Sequence, residues 1–568
     1  MTTGAPAAAG TAHDWLRRAA RQRPRATAVT HWRDGAVRDV LDFAALDALV
    51  QLAAAALAAR VREPGERVVL ALPNDATFTA ALLACLAAGL IAVPAPEPTD
   101  DPTPATAARL RGIVADCRPA LVIGRGGPAG RAVGWDELIA GDDAPAPGPH
   151  RRAADGIALL QYTSGSTGTP KGAVLTHRAI AASCAQAAAA YGESPRDTAV
   201  TWVPLHHDMG LVTGVLRPLF SGYASVLMSP REFARTPVSW LRAITAARGT
   251  LSSAPDFAYG LCVRRVPAGQ TGELDLSAWR VARNAGEVVR ADTADRFTAH
   301  FRAAGFRADA FCPSYGMAEA TLTVTASTPR QPPVRLAVDR DALRAGRVRP
   351  RPAEPAPATG PTSVLLSSGP PLPGTRVSIG PPDDPHDQHD PHDPHGRPDA
   401  GRVGPVWISG PQLFSGYWPA RPDTGTGPGR WYPTGDLGFV HRGHLFVLGR
   451  ADDTVVQNGR NVHASDIRAV CAGIPGLRPG RCVAFTLDAP GGPRVCLVAE
   501  LRAGPAADDV RATDTLVREI RSRLAAELEL YVHHVELVPA GELPVTTSGK
   551  PMVTETRTRF AGRVPSAR

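Results

Sequence analysis

At 568 residues and 59.5 kDa the chain exceeds what one hydrophobic core usually serves, and its 44% hydrophobic and 20% charged residues are ordinary for a globular protein, so a large body plus at least one further domain is expected. The net charge of +8 raises a nucleic-acid partner, but the arginines are dispersed and aromatics are only 5%, so the surface reads as solvated and a nucleic-acid face is set aside. Eight scattered cysteines without a C-x-x-C pair or zinc-like spacing predict a reduced, cytoplasmic protein.

The N-terminus, Met1-Thr-Thr-Gly-Ala-Pro, lacks the charged and apolar regions of a signal peptide. Residues 12–150 alternate Ala/Leu-rich helical stretches with short apolar strands, such as 68–72 and 120–123, which predicts α/β layers around a largely parallel sheet. The longest apolar stretch, residues 80–96, is broken by Gly89, Pro94 and Pro96. It reads as a buried helix running into a strand, and no transmembrane segment is expected. Residues 157–161 read as a strand, followed by a Gly/Ser/Thr loop and a helix from about Thr176.

That loop, Thr163-Ser-Gly-Ser-Thr-Gly-Thr-Pro-Lys-Gly172, suits phosphates: glycines allow close approach, hydroxyls donate, and Lys171 supplies charge. Lysine occurs only twice among 62 basic residues, at Lys171 and at Lys550, which closes Pro544-Val-Thr-Thr-Ser-Gly-Lys550. A compact ammonium on a flexible stem can follow a moving phosphate or carboxylate, whereas a guanidinium fork fixes its own geometry. Residues 328–400 are rich in Pro, Arg and Ala. Within them the His/Asp/Pro tract 383–395 reads as a solvated loop, not a metal site, because no regular backbone fixes ligand geometry. After Gly449-Arg450 the pattern changes to a small α/β unit with an amphipathic helix over 516–528.

Further motifs follow in order: Trp202-Val-Pro-Leu-His-His-Asp-Met-Gly-Leu211, Tyr315-Gly-Met-Ala-Glu319, Tyr432-Pro-Thr-Gly-Asp436, Gly449-Arg-Ala-Asp-Asp453 and Gly459-Arg-Asn461. With the two lysine motifs, they make the chain resemble the adenylate-forming acyl and aryl ligases, most closely the fatty acyl-AMP ligases, over residues 12–555. The resemblance implies a large multi-subdomain body with parallel-rich sheets, residues 1–450, and a small mobile α+β domain, 451–568, hinged at Asp452. It implies ATP and Mg²⁺ as cofactors, a fatty acid as substrate, and an acyl carrier protein with its phosphopantetheine arm as acceptor. Glu319 is expected to hold Mg²⁺, and Lys550 to reach both the carboxylate and the α-phosphate. Thr163, Ser164, Gly165, Ser166, Thr167, Gly168 and Lys171 are expected at the phosphates. Asn284, Gly286, Glu287, Tyr315 and Gly316 are expected at the adenine, and Asp436 with Arg450 at the ribose. His207, Asp208, Gly210 and Gly214 are expected along the acyl path. For His206, His207 and Asp208 a satisfied polar corner at a strand end stands as an equal alternative.

The segment 328–350 lies where this branch carries an insertion thought to disfavour coenzyme A. Val545, Arg468 and Val462-His-Ala464 depart from the family pattern in the second domain, which places its docking in question. The rival activity is an acyl-CoA ligase, and a further rival is a catalytically inactive adenylate-binding homologue.

Overall fold

The computed structural model describes residues 10–563 apart from 99–103, 125–131, 141–153, 164–169, 353–361, 383–400, 420–428, 458–459, 488–493, 503–509 and 547–548. The His/Asp/Pro tract and residues 164–168 of the loop therefore lie outside the described residues.

Two parallel-rich sheets form the body. The larger has eight strands, with Thr323–Ala326, Phe311–Gly316, Val281–Asn284, Leu251–Ala254, Thr198–Thr201, Ala224–Met228, Thr27–Arg33 and Ala36–Asp42 in spatial order. Only its two edge pairs are antiparallel. The six-stranded sheet carries the expected strands as Arg67–Ala71, Ile91–Pro94 and Leu121–Gly124, parallel to one another. Such interior strands are apolar on both faces because helices cover both sides; Val68, Val69 and Leu70 are fully buried. Residues 80–96 do form a buried helix, Ala76–Ala87, leading into the strand Ile91–Pro94. Among the described residues one helix, Phe43–Arg60, is long and apolar enough to cross a membrane, and its Leu46, Val50 and Leu57 are packed in the body's core.

The helix expected from about Thr176 is His177–Tyr191, but between it and the loop the chain adds an unexpected strand, Lys171–Thr176, paired antiparallel with Ile157–Thr163. Ala173, Val174 and Leu175 are buried in succession, and Val174 is also bonded through its backbone to Ser415 and Gly416, so the segment is held on both sides as a strand. Thr176 caps the helix, its Oγ1 accepting from Ala179 N at 3.1 Å. The strands on either side of the loop thus form an antiparallel hairpin.

A four-stranded antiparallel sheet, Arg376–Ile379, Gly404–Ser409, Tyr432–His441 and His444–Arg450, follows the body. The segment resembling the insertion forms its own two-stranded sheet, Arg335–Asp339 with Thr362–Leu366. Beyond Arg450 the chain builds a three-stranded sheet, Leu477–Leu487, Arg494–Leu501 and His534–Val538, against the helices Ala464–Ala472 and Val510–Leu528. Val455, Ile467, Leu497, Ile520 and Leu524 close a core there, separate from that of the body.

Candidate active site

The hairpin needs Gly172 for a steric reason: a Cβ there would lie 2.9 Å from the ring of Tyr162. Thr163 ends one strand and Lys171 begins the next, so both flank the loop. Lys171 is exposed, its Nζ 5.7 Å from the ring centre of Tyr417. The Tyr417 hydroxyl donates to Glu319 Oε1 at 2.6 Å and lies 3.0 Å from that of Tyr432.

Glu319 sits on a short turn, Ala318–Ala320, between the strands Phe311–Gly316 and Thr323–Ala326. Thr321 holds the turn at φ +59°, a costly conformation for a β-branched residue, with its Oγ1 donating to Gln412 O at 2.9 Å. Gly316 is obligatory beside it, since a Cβ would collide with the Leu322 carbonyl. Burial raises the Glu319 pKa, partly offset by Tyr417. Apart from the Tyr417 hydroxyl and its own backbone N–H, no group among the described residues bonds this carboxylate, and a carboxylate so placed fits a hard divalent cation. Among the described residues no three ligating side chains cluster, so the remaining ligands would come from phosphate and water.

Opposite stands Asp436, on the strand Tyr432–His441. Tyr315 Oη donates to its Oδ2 at 2.5 Å, and Arg450 Nε lies 3.9 Å from its Oδ1. Burial raises its pKa, while Arg450, Tyr315 and Lys550 oppose the rise. Asp208 begins the helical run Asp208–Ser221, with His207 Nδ1 at 2.5 Å from its Oδ1. Burial pushes this carboxyl up, but His207, the Met209 N–H and Lys550 outweigh it and hold it below the usual range. The Asp208 carboxylate, with His207 beside it, therefore stands as an anion near Lys550. His206 is half-buried, its pKa lowered to about 3 by desolvation with Arg109 and His207 adding to it, and it stays neutral.

Lys550 completes the constellation from the other core. Gly549 turns at φ +84°, Thr546 Oγ1 accepts from the Lys550 N–H at 3.0 Å, and Arg481 Nη1 bonds the Gly549 carbonyl at 2.9 Å. The Nζ reaches 3.7 Å from the Cβ position of Gly286, where φ is +85°, and Met209 Cε lies 3.2 Å from the same point.

Several sequence assignments change character. Asn284 is fully buried and donates to Asp256 Oδ1 at 2.8 Å, which braces the turn that carries Gly286 and Glu287. Glu287 Oε1 accepts from Phe257 N at 2.6 Å. A Cβ at Gly210 would meet the Pro204 carbonyl at 2.2 Å, and one at Gly214 would meet Thr201 at 2.7 Å. These glycines permit close helix–strand packing; on the same run it is Thr213 that lines a cavity. Asp452 is exposed on the turn Ala451–Asp453 between the two cores. Residues missed in the sequence are Tyr417, Thr321, Asp256 and Arg481, of which Tyr417, Thr321 and Arg481 stand outside the motifs.

Across residues 16–418 the chain matches the model of a family described as AMP-binding enzyme. It is 34% identical to the medium-chain-fatty-acid–acyl-carrier-protein ligase JamA of Moorena producens, over 92% of this chain and 90% of the relative. It is 33% identical to the long-chain-fatty-acid–AMP ligase FadD26 of Mycobacterium marinum, over 86% of each. Among solved structures it is similar to one from work on the fatty acyl-adenylate ligases of E. coli and L. pneumophila, with a TM-score of 0.84, 30% identity and 98% of each chain covered.

Proposed function

The chain belongs to the AMP-binding enzyme family, and from that premise we infer that it is a fatty acyl-AMP ligase acting on ATP and a fatty acid. The observation that carries this reading is the convergence of Lys550, from the C-terminal core, on Gly286, Met209, Asp208 and Asp436 of the body. The acid's carboxylate oxygen attacks the α-phosphorus of ATP, the bond to the pyrophosphate oxygen breaks, and acyl-AMP and pyrophosphate result. An anion must meet a polyanion, so positioned cations are what the reaction most needs. Lys550 stands where both partners would meet, and Lys171 stands at the mouth of the phosphate hairpin. The Tyr315–Asp436–Arg450 group supplies acceptors suited to ribose hydroxyls. Mg²⁺ held by Glu319 would neutralise phosphate charge.

The finer parts of the proposal are a division at residue 450, a hinge at Asp452, and transfer of the acyl group to the phosphopantetheine thiol of a separate carrier protein. JamA, by name a ligase to acyl-carrier protein, supports the acceptor. The test is acid-dependent exchange of labelled pyrophosphate into ATP: exchange with fatty acids and none without supports acyl-AMP formation, and none with any acid would overturn it.

A further inference from the structure

The helix Pro104–Cys117 packs against the hairpin that carries Lys171, its Leu110 and Ile113 sharing a core with Tyr162 and Val174. Three of its residues, Arg109, Gly112 and Asp116, follow one another three and four apart and so share one face. Arg109 Nη2 donates to the Tyr162 carbonyl at 3.2 Å, and the Tyr162 hydroxyl donates to Asp116 Oδ2. A Cβ on Gly112 would lie 3.1 Å from Pro170 Cγ. Tyr162 pairs with Gly172 across the hairpin, one rung below Thr163 and Lys171. The helix thus holds the chain just before Lys171, at Pro170, and across from it, at Tyr162.

Arg109 brings a charge that this bracing does not require. Any neutral donor can hold a carbonyl, whereas enclosing a guanidinium is costly. Burial lowers its pKa, and no carboxylate among the described residues acts on it. Its Nε is shut off from solvent and has no hydrogen-bond partner. Arginine stays protonated even so, and a charge enclosed without a partner is strongly unfavourable.

That charge is felt towards the site. It acts on His206, whose carbonyl accepts from Gln161 Nε2 at 2.9 Å, one residue before Tyr162. His206 leads directly into His207 and Asp208, beside Lys550. Arg109 therefore stands between the hairpin stem and the Asp208 corner, and the anion that acyl-AMP formation brings to this hairpin is the triphosphate of ATP. We propose that Arg109 is a positioning residue for the nucleotide phosphates, fixing the rung beneath Thr163 and Lys171 and adding there a positive field that no carboxylate among the described residues cancels. This rests on the acyl-AMP ligase reading and extends its phosphate-binding machinery to a helix outside the motifs. Arg109 acts through Tyr162 and through its field, so its effect falls on ATP and pyrophosphate and spares the acid.

The test measures acid-dependent exchange of labelled pyrophosphate into ATP with the full chain, comparing the wild type with Arg109→Gln and Arg109→Lys. Gln keeps a donor for the Tyr162 carbonyl and loses the charge, whereas Lys keeps both. Arg109→Gln is expected to raise KM for ATP and for pyrophosphate by roughly tenfold, with KM for the fatty acid within about twofold, and Arg109→Lys to recover most of the difference. A Gln variant with wild-type KM for ATP and pyrophosphate would overturn the inference. So would one that raises all three KM values alike, the mark of a merely structural residue, or a Lys variant as impaired as the Gln variant. Where Arg109→Gln does not fold, Gly112→Val, which crowds Pro170 and leaves Arg109 in place, decides. A selective rise in the same two constants supports the positioning, and an unchanged or unselective result overturns it. Wild-type exchange with unaltered variants would remove this inference and leave the ligase reading; no exchange with any acid would remove both.

Discussion

Lys550 is the residue on which the account turns, because its neighbours come from both cores. Lys550→Ala is expected to lower adenylation by roughly 100- to 1000-fold while ATP binding persists, measured by pyrophosphate exchange and calorimetry. Near-normal exchange would contradict its role. Asp256 offers a second prediction. Burial, with Glu287 nearby, raises its carboxyl to about 7, although Asn284, Arg290 N and Thr293 all donate to it. The folded state then holds a proton that the unfolded chain releases, so stability present below pH 4 is lost as pH rises towards 7. Asp256→Asn keeps the acceptor for Asn284 and removes that loss. It is expected to be more stable than the wild type by about 4 kcal/mol at pH 8 and equal to it near pH 4, by thermal melts at both values. A pH-independent difference would refute this.

At the scale of elements, the hairpin carrying the phosphate loop depends on a glycine beside Tyr162. Gly172→Ala is expected to cost about 1–3 kcal/mol by overpacking, read from denaturant melts, and to slow pyrophosphate exchange. The C-terminal core is tied to the body by Arg290 Nη1 on the Ser465 carbonyl at 2.9 Å and by Arg344 Nη2 on the Glu527 carbonyl at 3.1 Å. Replacing both arginines with alanine is expected to reduce adenylation by roughly tenfold and to raise hydrogen exchange in Ala464–Ala472, leaving the body strands unchanged. Unchanged exchange there would separate these contacts from domain placement. The strand–loop motif and the buried helix of residues 76–87 were legible because their apolar runs are local. The strand Lys171–Thr176 was not, because its partners at 157–163 and 415–416 are set by tertiary pairing. Nor was the burial of Arg283 legible: with 62 basic residues along the chain, nothing local marks one that folding encloses.

For the whole molecule, the motif order gave the family and its chemistry, while the site itself exists only where the two cores meet. Lys550 reaches the body through a loop anchored by Arg481, so a rotation about Asp452 would carry the lysine away and open the same face to a thiol. Whether that thiol is a carrier protein's phosphopantetheine or coenzyme A separates the proposed activity from its rival. The decisive measurement incubates the purified protein with ATP, Mg²⁺, fatty acids of several chain lengths and either coenzyme A or a holo carrier protein, resolving products by mass spectrometry. The account predicts acyl-AMP in every case, acyl carrier protein when the carrier is present, and little acyl-CoA. Abundant acyl-CoA with an unloaded carrier would contradict it.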